Sequence, residues 1–254
     1  MEQKPLRQRK KLKLYKALKI AYMRGNERRQ AKILKRYGYI LDRDLSDARE
    51  TMVAYNPFDK KVLFVANGTD VKSEKDLLTD FGLGLGKVRT SARFLDTKSI
   101  LNKAHDKYKD SNFILAGTSL GGSLVNYAAG PKDKVITYNP AFTPGAVARP
   151  NVTNYRTQGD MISAFAPKEN TTILKPKPVD NTVKTAPDSV IYSTLKQAAL
   201  VGAKEGLSTL GLGAIPAAAA STAIITAADQ LIKNKDNLLK PHKISNIEGA
   251  PIYL

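Results

Sequence analysis

Ser119 sits in the run Gly117-Thr118-Ser119-Leu120-Gly121-Gly122, directly after the apolar residues Phe113-Ile114-Leu115-Ala116. This spacing is that of a nucleophile elbow: a buried strand, a sharp turn carrying one hydroxyl, then a helix opening at Leu120. Side chains at 117 or 121 would collide with the neighbouring strand and helix, which is the mechanical reason for glycine there. The helix opening at Leu120 also offers a backbone N–H where negative charge would develop on an attacked carbonyl. The chemistry this arrangement suits is nucleophilic acyl transfer.

A serine hydroxyl attacks only when a base takes its proton, and a carboxylate must hold that base in the right tautomer. The chain has two histidines, His105 and His242. In sheets that carry such an elbow the order along the chain is Ser, then Asp or Glu, then His. That order selects His242, in Lys240-Pro241-His242-Lys243-Ile244-Ser245, and rejects His105, which falls on a helix with no obvious partner and reads as a surface or satisfied structural histidine. For the acid, Asp160 closely follows a strand, with Asp180 next in line. Asp133 lies too near the nucleophile helix, Asp188 has no strand to fix it, and Asp229 and Asp236 belong to a later helix. A second oxyanion donor is expected from the loop after an earlier strand, where Gly68-Thr69 stands. The Thr69 N–H, helped by its hydroxyl, would join that of Leu120.

Several elements must hold these groups in place. Met52–Tyr55 and Lys61–Ala66 read as strands joined by the turn Asn56-Pro57-Phe58-Asp59. Ser91–Lys109 reads as a helix with Phe94, Ile100, Leu101 and Ala104 toward the core. Lys134–Tyr138 and Val152–Arg156 are further strands. Strands alternating with helices predict a mainly parallel sheet covered on both faces. The stretch 166–188 is rich in Pro, Lys, Thr and Asp and reads as a linker or long loop. Residues 206–228 carry no charge, but Gly211, Gly213 and Pro216 interrupt them, so 189–233 reads as a hairpin of two small-residue helices rather than a membrane span.

The formal net charge is +18, and residues 1–36 hold 14 Lys/Arg against Glu2 and Glu27. Within them Leu14, Leu18 and Tyr22 recur every four positions, as in a basic amphipathic helix, and a second short helix is expected over Glu27–Arg36. Such an arm suits an anionic partner, either a membrane surface or nucleic acid through residues 1–43. No apolar run follows the basic start, so a secretory signal is not expected. The absence of cysteine excludes disulfides and a thiol nucleophile, and two histidines cannot build a multi-histidine metal site. No metal or cofactor is expected.

Taken together, Val62–Asp70, Asp76-Leu77-Leu78-Thr79-Asp80, Gly117–Gly122 and Asn154-Tyr155 through Asp160 resemble the class 3 lipase family. The resemblance spans about residues 50–165 plus the isolated His242. It implies an α/β-hydrolase-like fold and hydrolysis of triacylglycerol or phospholipid esters by Ser119, Asp160 and His242. Thr118 stands where the family has His, and the interval from Asp160 to His242 is long. A cysteine-free, basic form is similar to lipase-like proteins of some large DNA viruses or their satellites. The expected organisation is a basic arm at 1–43, an α/β core at 44–188, an inserted hairpin at 189–233 serving as lid or membrane element, and a segment at 234–254 carrying His242. The expected activity is that of a serine esterase at a membrane surface or in a virion. The rival reading is a non-enzymatic, nucleic-acid-associated protein on a degenerate hydrolase scaffold.

Overall fold

The structure, a computed structural model, describes residues 10–23, 25–47, 50–68, 88–89, 91–142, 146–160, 162–175 and 243–254. Its centre is a seven-stranded sheet whose strands stand in chain order. They are β1 (Ile40–Leu41), β2 (Thr51–Asn56), β3 (Lys61–Ala66), β4 (Asn112–Ser119), β5 (Lys134–Pro140), β6 (Val152–Thr157) and β7 (Thr171–Leu174). The first three pair antiparallel, and β3 through β7 pair parallel. The architecture is a mixed, mostly parallel sheet flanked by helices, consistent with an α/β-hydrolase-like fold. The hairpin between β2 and β3 turns on Asn56, whose Oδ1 accepts the N–H groups of Phe58 at 3.1 Å and Asp59 at 3.3 Å, an Asx turn.

Alternation along the central strands sorts their side chains into two cores. Val62, Phe64, Phe113, Leu115 and Val135 meet α3 (Ala92–Lys107) and α4 (Leu120–Ala128) through Leu101, Ala104, Leu124 and Val125. Ser91 caps α3, its Oγ accepting the Phe94 N–H at 3.2 Å. On the other face Leu63, Val65, Ile114, Ala116, Ile136 and Tyr138 meet α1 (Leu14–Ala21) and Leu34 of α2 (Glu27–Lys35), together with Ile247 and Ile252.

Residues 12–41, set apart by charge in the sequence, therefore form a layer over this sheet. Leu14, Ala17, Leu18, Ile20 and Ala21 are buried. Full burial of a Leu or Ile is worth about 1.5–3 kcal/mol. The apolar stripe of α1 is committed to the protein interior, and its charged side, with Lys16 and Lys19, faces outward. Asn26 caps α2, and Gln30 from α2 donates its side-chain amide to the Ile20 carbonyl at 3.0 Å, closing the end of α1. The chain termini zip together: the Leu14 N–H donates to the Ile252 carbonyl at 2.9 Å and the Leu254 N–H to the Leu12 carbonyl at 3.0 Å.

Two elements depart from the sequence expectation. The stretch beginning at 166, read as linker, contains a 3-10 turn at Lys168–Asn170 and then β7, which adds to the parallel edge beside β6. As a four-residue edge strand with Thr172 and Ile173 exposed, it shows no alternation to read. The sheet also begins earlier than residue 44, because Ile40–Leu41 pairs with β2. The hairpin expected at 189–233 lies outside the described residues. Among the described residues no helix is long and apolar enough to cross a membrane.

Leu18 tests the docking of α1. Leu18→Ala should lower the unfolding free energy by about 2–5 kcal/mol, read from urea denaturation. A loss below about 1 kcal/mol would mean that α1 is not part of the core.

Candidate active site

The elbow is built where β4 meets α4. Ser119 ends the strand with φ 54 and ψ −132, backbone angles that non-glycine residues seldom adopt, while Leu120 begins the helix. Holding a side chain there costs about 1–3 kcal/mol. The parallel register slips at this point, so that Thr118 faces Tyr138 but Ser119 faces Pro140, and the Ser119 carbonyl accepts the Ala141 N–H at 3.1 Å.

Close packing forces the turn. A Cβ on Gly121 would overlap the Ala66 carbonyl oxygen, and one on Gly117 would stand 2.5 Å from the Gly121 carbonyl. The helix thus starts directly on the backbone of β3 and β4. Ser119 is only 6% exposed, and among the described residues its Oγ has no hydrogen-bond partner.

The loop after β3 lies against the elbow. The Asn67 side-chain amide donates to the Ala21 carbonyl at 3.1 Å, and the Gly68 N–H donates to the Tyr22 hydroxyl at 2.8 Å. From α3, Arg93 donates Nη2 to the Asn67 carbonyl at 2.5 Å. Thr69, the expected second oxyanion donor, lies outside the described residues, as does Asp180. Leu120 is where the sequence predicts it, at the first position of α4, where helical N–H groups have no acceptor within the helix.

Asp160 stands just beyond β6, reached through Gly159 in the left-handed region at φ 79. It is fully buried. Its Oδ2 accepts the Ser163 N–H at 3.0 Å and the Ser163 hydroxyl, while its carbonyl accepts Arg156 Nη2 at 3.0 Å. Next to it the Tyr138 hydroxyl meets Thr157 Oγ1 at 2.5 Å and donates to the Lys243 carbonyl at 3.2 Å. Burial pushes the Tyr138 hydroxyl up to about 12, and the Asp160 charge adds to the rise. It therefore stays protonated and able to donate at neutral pH. His242 lies outside the described residues. Its covalent neighbour Lys243 is thus held over the carboxyl ends of β5 and β6, the same sheet edge as Ser119 and Asp160.

His105 is a satisfied structural histidine, with a partner that the sequence did not name. Its Nε2 lies 2.8 Å from Asp133 Oδ1, and its ring meets Phe113 edge-on at 4.1 Å. Asp133 also accepts the Gly130 N–H at 2.7 Å. This pair sits at the amino ends of β4 and β5. At ~3.3 Å per strand residue it is about 20 Å from Ser119, which makes it structural. Among the described residues no three His, Cys, Asp or Glu side chains could hold a metal ion.

Tyr22, Arg93, Tyr138 and Ser163 are site residues the sequence did not single out. Only Ser163 carries a local signal, as a hydroxyl three residues after an Asp at a strand end.

A strained strand-to-helix turn carrying a serine at the carboxyl edge of a mostly parallel sheet is an α/β-hydrolase-like arrangement. No protein-family model matches the chain, and no curated protein matches it. Among solved structures it is similar to a mutant form of MDLA from Penicillium cyclopium, at 14% identity over 68% of this chain and 81% of that one, with a TM-score of 0.46. It is also similar to Lip2 lipase from Yarrowia lipolytica, at 15% identity over 60% and 69%, TM-score 0.37. A third is the mono- and diacylglycerol lipase from Aspergillus oryzae, at 16% over 71% and 84%, TM-score 0.37. These are partial likenesses of fold at low identity.

Strain at the elbow is measurable. Ser119→Gly and Ser119→Ala both remove the buried hydroxyl, but only glycine relieves the backbone. Ser119→Gly should be the more stable of the two by about 1 kcal/mol, despite the greater flexibility of glycine in the unfolded chain. Equal or reversed stabilities in thermal unfolding would show that the turn is unstrained.

Proposed function

We propose that the chain is a serine hydrolase that cleaves carboxylic esters of lipids, triacylglycerol or phospholipid, at an anionic membrane surface. One observation carries this reading: a buried hydroxyl, without a partner among the described residues, sits on a strained backbone at the first turn of a helix. Backbone strain held at a buried hydroxyl is the mark of a site kept for chemistry rather than stability.

In this reading Ser119 Oγ bonds to the ester carbonyl carbon as His242 takes its proton. The carbonyl electron pair moves onto oxygen, facing the N–H groups of Leu120 and Thr69. Collapse breaks the bond to the alcohol, which leaves with the proton from His242, and the acyl group remains on Ser119. Water, deprotonated by the same imidazole, then releases the fatty acid and restores the serine. Asp160 holds the His242 ring and stabilises its charged form. The burial of Asp160 at the end of β6 supports that role, and the anchoring of Lys243 to Tyr138 supports bringing residue 242 to this edge. The outward basic side of α1 and α2 would attract anionic lipid, at roughly 1 kcal/mol for each suitably placed Lys or Arg.

A fluorophosphonate probe should label Ser119, and p-nitrophenyl esters should be turned over. Ser119→Ala should abolish both with the fold intact, and Asp160→Asn and His242→Asn should each lower kcat on the order of 10³-fold or more. Absence of an adduct at Ser119, or turnover that survives Ser119→Ala, would sink the assignment. The surface preference is tested separately. Hydrolysis of vesicles should rise when phosphatidylserine is added to phosphatidylcholine, and that gain should fade with salt. Equal rates on both compositions would remove the anionic surface from the proposal.

A further inference from the structure

We infer that Tyr22 is a positioning residue for catalysis, its hydroxyl fixing the Asn67–Gly68 backbone that lies against Ser119. The inference rests on the serine-hydrolase reading, and nothing in that mechanism requires a residue of the first 43.

A backbone N–H withdrawn from water needs an acceptor, and the Gly68 N–H has one in the Tyr22 hydroxyl at 2.8 Å. That donor is therefore occupied and cannot face the developing oxyanion. The bond instead sets the orientation of the Gly68 peptide group. The neighbouring Asn67 reaches the same helix end, donating its side-chain amide to the Ala21 carbonyl at 3.1 Å. Two consecutive loop residues thus rest on two consecutive residues of the N-terminal segment, Ala21 and Tyr22.

The loop so held touches the nucleophile. A Cβ placed on Gly68 would lie 2.7 Å from the Tyr22 hydroxyl oxygen, 3.1 Å from Ser119 Cβ and 3.1 Å from the Thr118 carbonyl oxygen. Tyr22 and Ser119 therefore meet across one glycine, and a shift of that glycine changes the geometry between nucleophile and loop. Misplacement by ~1 Å near reacting groups costs rate on the order of 10²-fold. The carrier is rigid as well, because Tyr22 is the residue directly after α1, whose apolar side is buried against the sheet.

Misplacing the attacking hydroxyl weakens the transition state and not the binding of substrate, so it lowers kcat and spares KM. Tyr22→Phe keeps the ring and removes the acceptor. On p-nitrophenyl esters we expect kcat to fall about 10- to 100-fold with KM within about twofold. Affinity for an alkyl boronic acid, which forms a tetrahedral adduct on Ser119, should fall by the same factor. Unchanged kcat in Tyr22→Phe, with the wild type active, overturns the inference alone. A rise in KM with kcat unchanged also overturns it, because Tyr22 would then be a substrate contact. A wild type with neither turnover nor fluorophosphonate adduct takes down the hydrolase reading and this inference with it. If Tyr22→Phe does not fold, hydrogen exchange of the Gly68 amide in the wild type decides: exchange at the unprotected rate overturns the inference, and protection sustains it.

Discussion

Strand order constrains this molecule more than any other feature. With β3, β4 and β5 parallel and adjacent in chain order, connections of the usual right hand put their helices on one side of the sheet. The two crossover helices, Ala92–Lys107 and Leu120–Ala128, do pack into one common core. The opposite face presents Leu63, Val65, Ile114, Ala116, Ile136 and Tyr138, and among the described residues no crossover helix packs on it. Water against that much apolar surface would leave the sheet unstable. The cover comes from the ends of the chain, Leu14–Lys35 at one terminus and Ile247 and Ile252 at the other, and the two ends hydrogen-bond to each other.

That solution for the core also determines what reaches the carboxyl edge of the sheet. Covering the second face brings Ala21 and Tyr22 to the loop after β3, and Lys243 to Tyr138 at the ends of β5 and β6. The elbow itself needs the reverse, an absence of side chains, because Leu120–Ala128 begins against the Ala66 and Asn67 backbone. Strain at Ser119 and the glycines beside it are two results of one close approach. The surrounding core offsets that strain, with Leu115, Leu124 and Val125 fully buried just behind the turn.

The sequence revealed what is local. Glycines two residues to either side of a serine, an apolar strand before it and an aspartate directly after a glycine at a strand end each have a short-range cause. The strands from 51 to 157 and the helix capped by Ser91 were readable for the same reason. What stayed hidden depends on separation along the chain. Tyr22 and Gly68 are 46 positions apart, His105 and Asp133 are 28, and Tyr138 and Lys243 are 105. Charge is a misleading guide to residues 12–41: Lys16 and Lys19 of α1 stand opposite an apolar side that is buried. β7 leaves no signal because an exposed edge strand needs no hydrophobic alternation.

His105 shows why residue type alone does not define a site. It lies within hydrogen-bond distance of a buried aspartate, which is the arrangement expected of a base and its orienting acid. Yet Asp133 precedes β5 whereas Asp160 follows β6, so the two carboxylates sit at opposite ends of the same sheet. Among the described residues the amino edge offers neither a strained serine nor the start of a crossover helix. His105 there is held by Asp133 and packed on Phe113, and it closes the base of α3 over β4. At the carboxyl edge the parallel strands end together and the helix after β4 begins directly after the strained Ser119. Chain direction through the sheet, rather than the pairing of a histidine with an acid, separates a structural contact from a place where chemistry can occur.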